Sequence, residues 1–355
     1  MSNAKKREII LFLGAGASAP FGYPTTQKFL DGLKTELGDS VEGILLSNIL
    51  KVPHVKDVEH VLETLKALQV FKEHPIKEFV STFQTSIDLP MMSGNLSEQL
   101  KTVDSLEDKI QSDIYRQYEF LPNTIDAVTD AYEPLLEMIS ALRGDNEIPI
   151  FTTNYGRVIE EFCHRNGLIC VDGFKINPQS DEFEWNVKEF ERTSKNTRIV
   201  KLFKLHGSLN WRRCHDFAAV KIGSEERTRG TRRFKENLLV YPTEKLTNEV
   251  ERIVLPEKEP FGVLHVMFKR RFSESEVAVF IGFNFRDEYL NEMITSQSGK
   301  RKIIIVSPHA NEAKKRIEEL LSNVTYHILG RKIVAVDGLF GELNITNKIE
   351  KAILE

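Results

Sequence analysis

Cysteine is scarce in this 355-residue chain. Cys163, Cys170 and Cys214 are its only three, and none is spaced as a C-x-x-C pair. That excludes a disulfide framework and a four-cysteine zinc site, and it fits a reducing compartment. No apolar run approaches the roughly 20 residues that a membrane-spanning helix needs. The opening, "MSNAKKREII", has no apolar signal-peptide core and leads straight into a strand, so a cytoplasmic protein without membrane contact is expected. An excess of one charge is missing too. The formal net charge is -4, which argues against a nucleic-acid coat while leaving room for a local basic patch. Internal repeats and long low-complexity tracts are also absent.

What is there is an ordinary globular composition, 41% hydrophobic and 28% charged, and alternating textures along it. "EIILFLGAG" is apolar nearly throughout, as a strand covered on both faces of a parallel sheet should be. Similar runs recur in "IPIFTTN", "RIVKLFKLHGS", "EVAVFIGFNF", "KIIIVSP" and "RKIVAVDG". Between them lies a helical texture. Val58, Val61, Leu62, Leu65 and Leu68 share one helical face, as do Leu100, Val103, Leu106, Ile110 and Ile114, and then Tyr132, Leu135, Leu136, Ile139 and Leu142. The expected fold is therefore α/β: a Rossmann-like parallel sheet flanked by helices, one domain over 1–355. A large helical insertion is expected at 41–145, and a small irregular or β lobe at 166–200.

Five short stretches carry chemistry, and each has a plainer reading. Gly14-x-Gly16-x-x-Ala19 follows a strand and precedes a helix. Glycines there let a backbone approach a pyrophosphate, with the next helix's free N–H groups facing it; the plainer reading is a tight turn. Asn154, in "FTTNYG", can orient a water or a ribose hydroxyl, or cap the helix that follows. Histidine is a residue type suited to general-base work near neutral pH, so His206, in "KLHGSLNW", can act as a general base, or serve as a hydrogen-bonded structural histidine. In "VFIGFNFRDEYLN", Gly282 lets the chain pass close to a ligand, Asn284 and Asp287 can bind ribose hydroxyls, and Asp287 can equally cap a helix. Ser307, in "IIIVSP", can touch a base or ribose, or open a turn with Pro308.

In that order, each motif after a strand, the set resembles the sirtuin family, and more closely its prokaryotic branch of sirtuin-like NAD hydrolases used in anti-phage defence. The resemblance covers roughly 1–40 and 145–345. It implies that Asn154 and His206 are catalytic. It implies that Gly14, Ala15, Gly16 and Ser18 line the pyrophosphate and its ribose, with Thr153 beside Asn154 in the cofactor set. "FGYPTT" resembles the family's mobile loop, so Tyr23, Pro24 and Thr25 would close over NAD. Gly282, Asn284 and Asp287 would approach the adenosine half, and Ser307 the adenine. NAD would be the substrate, with no zinc and no other metal.

Two departures stand out. The zinc module of the deacylating members is missing, and Gly156 stands where the family usually has an aspartate, leaving Glu160 or Glu161 to substitute. The resemblance implies an NAD glycohydrolase acting as the toxic effector of an abortive-infection system. The alternatives are a non-catalytic NAD or ADP-ribose binding subunit and an NAD-dependent protein deacylase. Control is expected through a homo-oligomer, or a partner such as a ring-forming HerA-type ATPase or an Argonaute-like protein. The basic stretch 227–237 is either a solvated loop or a grip for nucleic-acid phosphates.

Overall fold

The computed structural model describes residues 7–53, 55, 58–73, 96–179, 182–214, 218–222, 234–239, 259–297, 301–322 and 332–355. The basic residues Arg227, Arg229, Arg232 and Arg233 lie outside them. The chain forms two compact units. One is built from Met1–Tyr23, Glu119–Val240 and Lys245–Glu355, the other mainly from Pro24–Tyr118.

The first unit is organised by a seven-stranded sheet in which every pairing is parallel. Its strands are β1 (Ile9–Leu13), β2 (Glu147–Thr152), β3 (Ile169–Val171), β6 (Ile199–Lys204), β10 (Val277–Ile281), β11 (Lys302–Ser307) and β12 (Lys332–Asp337), in the spatial order β12-β11-β10-β1-β2-β6-β3. The central strands are hydrophobic on both faces because both are covered: all five residues of β1 and of β10 are buried. Register is pinned across the centre by Leu11 opposite Val279 on one side and Ile150 on the other.

On one face, Ile10, Phe12, Phe151 and Phe280 meet apolar residues of α7 (Phe261–Glu274), α8 (Glu288–Thr295) and α9 (Ala310–Ser322). Phe12 contacts Phe268 edge-on at 5.5 Å and stacks on Phe280 at 5.1 Å. The helices α5 (Ile125–Arg143), α6 (Val158–Arg165) and α10 (Ile345–Leu354) complete this unit. Tyr132 of α5 packs against Phe162 of α6 and against Phe340. After β1 the chain advances toward β2, and after β10 it advances the other way, toward β11. Right-handed crossovers in opposite directions run on opposite faces, so the ligand crevice of such a sheet is expected between the carboxyl ends of β1 and β10.

The small lobe expected at 166–200 is a second sheet whose strands run beyond those bounds. β4 (Phe174–Asn177), β5 (Glu182–Trp185), β7 (Gly207–Cys214), β8 (Ala219–Lys221) and β9 (Phe234–Leu239) pair antiparallel in the order β4-β5-β8-β7-β9. Of the expected span, β3 and β6 belong to the large sheet, because parallel pairing with a buried neighbour outweighs their nearness in sequence. The aromatic residues of the lobe form its core: Phe174 lies 5.5 Å from Trp185 and 4.9 Å from the fully buried Trp211.

The helical unit also has different bounds from the expected 41–145. It begins at Pro24 and ends at Tyr118, so α5 belongs to the sheet unit. Its described helices are α1 (Thr26–Leu37), α2 (Val41–Ile49), α3 (Val58–Glu73) and α4 (Leu96–Tyr118). Val61, Leu62 and Leu65 of α3 and Val103, Leu106, Ile110 and Ile114 of α4 are buried, as their spacing requires. Outside that core, Glu36 pairs with Lys109 and, at 3.0 Å, with Arg116. These partly exposed pairs hold its carboxyl below the ordinary range and add little stability. No helix among the described residues is long and apolar enough to cross a membrane, and Cys163, Cys170 and Cys214 form no disulfide with one another.

Candidate functional site

The glycines of the first motif are required before any ligand is considered. Gly14 N–H donates to Ile281 O at 2.9 Å, and Gly16 N–H to Gly282 O at 3.0 Å. The two loops that follow β1 and β10 therefore interlock backbone to backbone. A Cβ on Gly14 would lie 2.5 Å from Gly282 O, and one on Gly16 would lie 2.8 Å from Gly282 Cα. Gly282 has φ +64°, and its Cβ would lie 2.2 Å from Ala17 N. The turn leads into two short 3-10 turns, Ala15–Ala17 and Ala19–Phe21, and no α-helix follows it directly. The expected helix N-terminus facing a pyrophosphate is thus not at this turn. The first α-helix starts at Thr26, in the other unit, capped by Thr25, which accepts Lys28 N–H at 3.4 Å. Pro24 belongs to that unit as well.

Asn154 does not cap α6. The residue at that cap is Arg157, without a side-chain hydrogen bond. The Asn154 amide instead donates to Gly14 O at 3.0 Å and to Ser18 Oγ at 3.3 Å. Its own N–H is held by Thr152 Oγ1 (3.0 Å), whose hydroxyl donates to Leu13 O (2.8 Å). Thr153 N–H donates to Leu13 O at 3.3 Å. The loop after β2 is thereby sewn to the Gly-rich turn after β1, with Thr153 and Asn154 half-buried at the seam.

His206 is 3% exposed, just past β6, with its Nε2 3.0 Å from Asp287 Oδ2. The other oxygen, Oδ1, accepts Leu290 N–H at 2.9 Å, so Asp287 caps α8 and faces His206 at once. Both carboxylate oxygens therefore have protein partners. Its placement depends on an unusual loop. Phe285 is buried at φ +52°, a conformation a bulky side chain rarely adopts, and Asn291 Nδ2 holds its carbonyl at 2.9 Å. Arg316 Nη1 holds the carbonyl of Asn284 at 2.9 Å, leaving the Asn284 side chain exposed. The loop bearing His206 lies against the Asn154 loop: Leu205 N–H donates to Thr152 O (2.8 Å), Leu209 N–H to Tyr155 O (3.2 Å), and the Tyr155 and His206 rings are 6.3 Å apart.

The remaining expected residues divide. Ala15, Gly16 and Ser18 border the crevice, half-buried or nearly buried. Ser307 takes its plainer role, its Oγ accepting His309 N–H at 3.1 Å to open the turn after β11. Tyr23 is buried, and its hydroxyl accepts Leu121 N–H at 3.0 Å. Burial pushes its phenol above the ordinary value, and the Leu121 N–H partly offsets this.

Sequence reading missed Lys204. Its ammonium, 1% exposed, reaches Gly156 O at 2.7 Å, Glu160 Oε1 and Ser208 Oγ at 2.8 Å, and Tyr155 O at 3.2 Å. The only signal was a lysine inside the strand "IVKLFK", where both faces are covered. Of the two carboxylates considered near Gly156, Glu161 pairs with Arg157, and Glu160 is the one that faces Lys204.

Fold and site together define a Rossmann-like protein with an asparagine and a buried His–Asp pair around the β1/β10 crevice. Residues 149–326, just over half of the chain, match the SIR2-like domain family, and the chain belongs to that family. The matched span includes Asn154, Lys204, His206, Gly282 and Asp287; the Gly-rich turn and the helical unit lie outside it. No curated protein matches the sequence.

Similar solved structures include one from work on the structural basis for the mechanism and regulation of Sir2 enzymes. It is 14% identical over 99% of this chain and 93% of that one, with TM-score 0.40. Another is a Sir2 homologue–NAD complex, 12% identical over 99% and 91%, with TM-score 0.41. A third is a variant Sir2 homologue in complex with ADP-ribose, 13% identical over 100% and 98%, with TM-score 0.41.

Proposed function

We propose that this chain binds NAD in the β1/β10 crevice and cleaves the bond between nicotinamide and ribose, releasing nicotinamide and ADP-ribose. The observation that carries the reading is the buried His206–Asp287 pair, 3.0 Å apart, lying against the loop whose Asn154 is tied to the Gly-rich turn. Nicotinamide leaves as a neutral ring from a cationic one, and the sugar passes through a cation like that of glycoside hydrolysis. Asn154 orients the attacking water or a ribose hydroxyl. His206 accepts the proton that the attacking group loses, and Asp287 supplies a counter-charge to the imidazolium so formed. Ala15, Gly16, Ser18 and Thr153 border the nucleotide, and no metal takes part.

Purified protein given NAD without any peptide is expected to release nicotinamide. Asn154→Ala and His206→Ala are each expected to lose about 10²–10⁴-fold. Retained rate in both variants would remove the two roles. Intact NAD bound without turnover would instead indicate a binding subunit, and release only with an acylated peptide a deacylase.

The same reading extends to the cell as the effector of a cytoplasmic anti-phage system, held quiet by self-assembly or by an ATPase or Argonaute-like partner. The four described helices of the Pro24–Tyr118 unit, outside the family match, are the surface offered for that assembly. Expression of the wild type, and not of His206→Ala, is expected to deplete cellular NAD and arrest growth. Unchanged NAD with soluble, folded wild-type protein would sink this extension.

A further inference from the structure

An ammonium as deeply buried as that of Lys204 persists only where acceptors replace its hydration. Four do so here, and two of them are main-chain carbonyls of the loop that carries Asn154: Tyr155 O and Gly156 O. The third, Glu160, sits in the first turn of α6 and supplies the opposite charge. The fourth, Ser208 Oγ, itself donates to Tyr155 O at 3.3 Å. Alongside Leu209 N–H on Tyr155 O, the loop is thus held by the Asn154 amide on Gly14 O and Ser18 Oγ and by the Lys204 ammonium two residues before His206. Where a carboxylate on the loop would otherwise stand, Gly156 offers only its carbonyl, and the negative charge comes from Glu160 on the helix.

We propose that Lys204, with Glu160 as its counter-ion, is a positioning residue that fixes the main chain of 154–156 so that Asn154 and His206 act on one substrate atom. The proposal rests on the NAD-cleavage reading above. A loop released by even about 1 Å loses on the order of 10²-fold in rate. Lys204→Met is expected to lower kcat by about that factor, with KM within about threefold of wild type, because the groups touching NAD remain.

The single variant leaves the half-buried Glu160 without its partner, so its melting temperature should fall. The double variant Glu160→Gln, Lys204→Met removes both charges and should recover most of that melting temperature without recovering turnover. A double variant that recovers both would overturn the proposal, since the pair would then be structural only. Amide hydrogen exchange gives a readout independent of activity. Lys204→Met should speed exchange at 153–157 and leave β10 unchanged, and unchanged exchange at 153–157 would also overturn it. If wild-type protein releases no nicotinamide, the cleavage reading fails, and the exchange experiment alone decides whether Lys204 positions the loop.

Discussion

Asp287→Asn is expected to fold, bind NAD and lose about 10²–10⁴-fold in nicotinamide release. The substitution separates two jobs that one carboxylate does. Oδ1 accepts Leu290 N–H as the cap of α8, and Oδ2 faces His206 Nε2 at 3.0 Å. Asparagine caps helices about as well as aspartate, so the helix and the loop that Asn291 holds at Phe285 O should persist. What disappears is the negative charge beside the ring. An imidazole that takes a proton in this buried place then has no counter-charge, and the amide can meet Nε2 with the wrong group. Asp287→Ala removes the cap as well and should cost about a further 1 kcal/mol of stability. The measurement is kcat and KM for NAD alongside thermal melting of both variants. Asp287→Asn with wild-type kcat would show that the carboxylate is a helix cap and nothing more, and would remove it from the mechanism.

Gly282→Ala is expected to damage folding severely. Two costs act together. At φ +64° a side chain strains the backbone by roughly 1–2 kcal/mol. The added carbon would also lie 2.2 Å from Ala17 N and 2.3 Å from Gly16 C, and these are main-chain atoms that cannot rotate away. The interlock of the β1 and β10 loops must open, with loss of the Gly16 N–H to Gly282 O bond. A total above about 3 kcal/mol follows, in the range of the most disruptive single substitutions. Gly22→Ala is the matched control. Gly22 has φ +90°, yet its Cβ would meet nothing nearer than Leu121 Cδ1 at 3.8 Å, so only the conformational cost of roughly 1 kcal/mol applies. Thermal melting and soluble yield should order the proteins as wild type, Gly22→Ala, Gly282→Ala. Equal melting of the two variants would mean that the two loops are not locked together as described.

Both predictions turn on residues whose types were legible in the sequence and whose partners were not. The strand runs announced themselves because a strand covered on both faces is apolar nearly throughout, as β1 and β10 are at every position. Their spacing with Gly14, Asn154, His206, Gly282 and Asp287 was enough to expect a parallel α/β sheet with its site at the carboxyl ends. Helical periodicity identified α3, α4 and α5 equally well. It could not assign α5, because an apolar stripe records that a face is buried and not what buries it; Tyr132 of α5 packs on Phe162 and Phe340 of the sheet unit.

The same limit applies at atomic scale. A short polar residue before a helix reads as a cap, and Asp287 is one; that its second oxygen meets His206, 81 positions away, follows only from the crossing of β6 and β10 loops in space. Asn154 read equally as a cap, yet its amide spans 140 positions to Gly14 O. Lys204 went unremarked in its strand, because its four acceptors come together around it only in space. The chain's composition and periodicity thus determined the elements, the sheet class and the residue types at the site, since those follow from local burial and backbone preference. The tertiary structure decided the pairings, because hydrogen bonds act over about 3 Å and the groups they join are scattered along the chain.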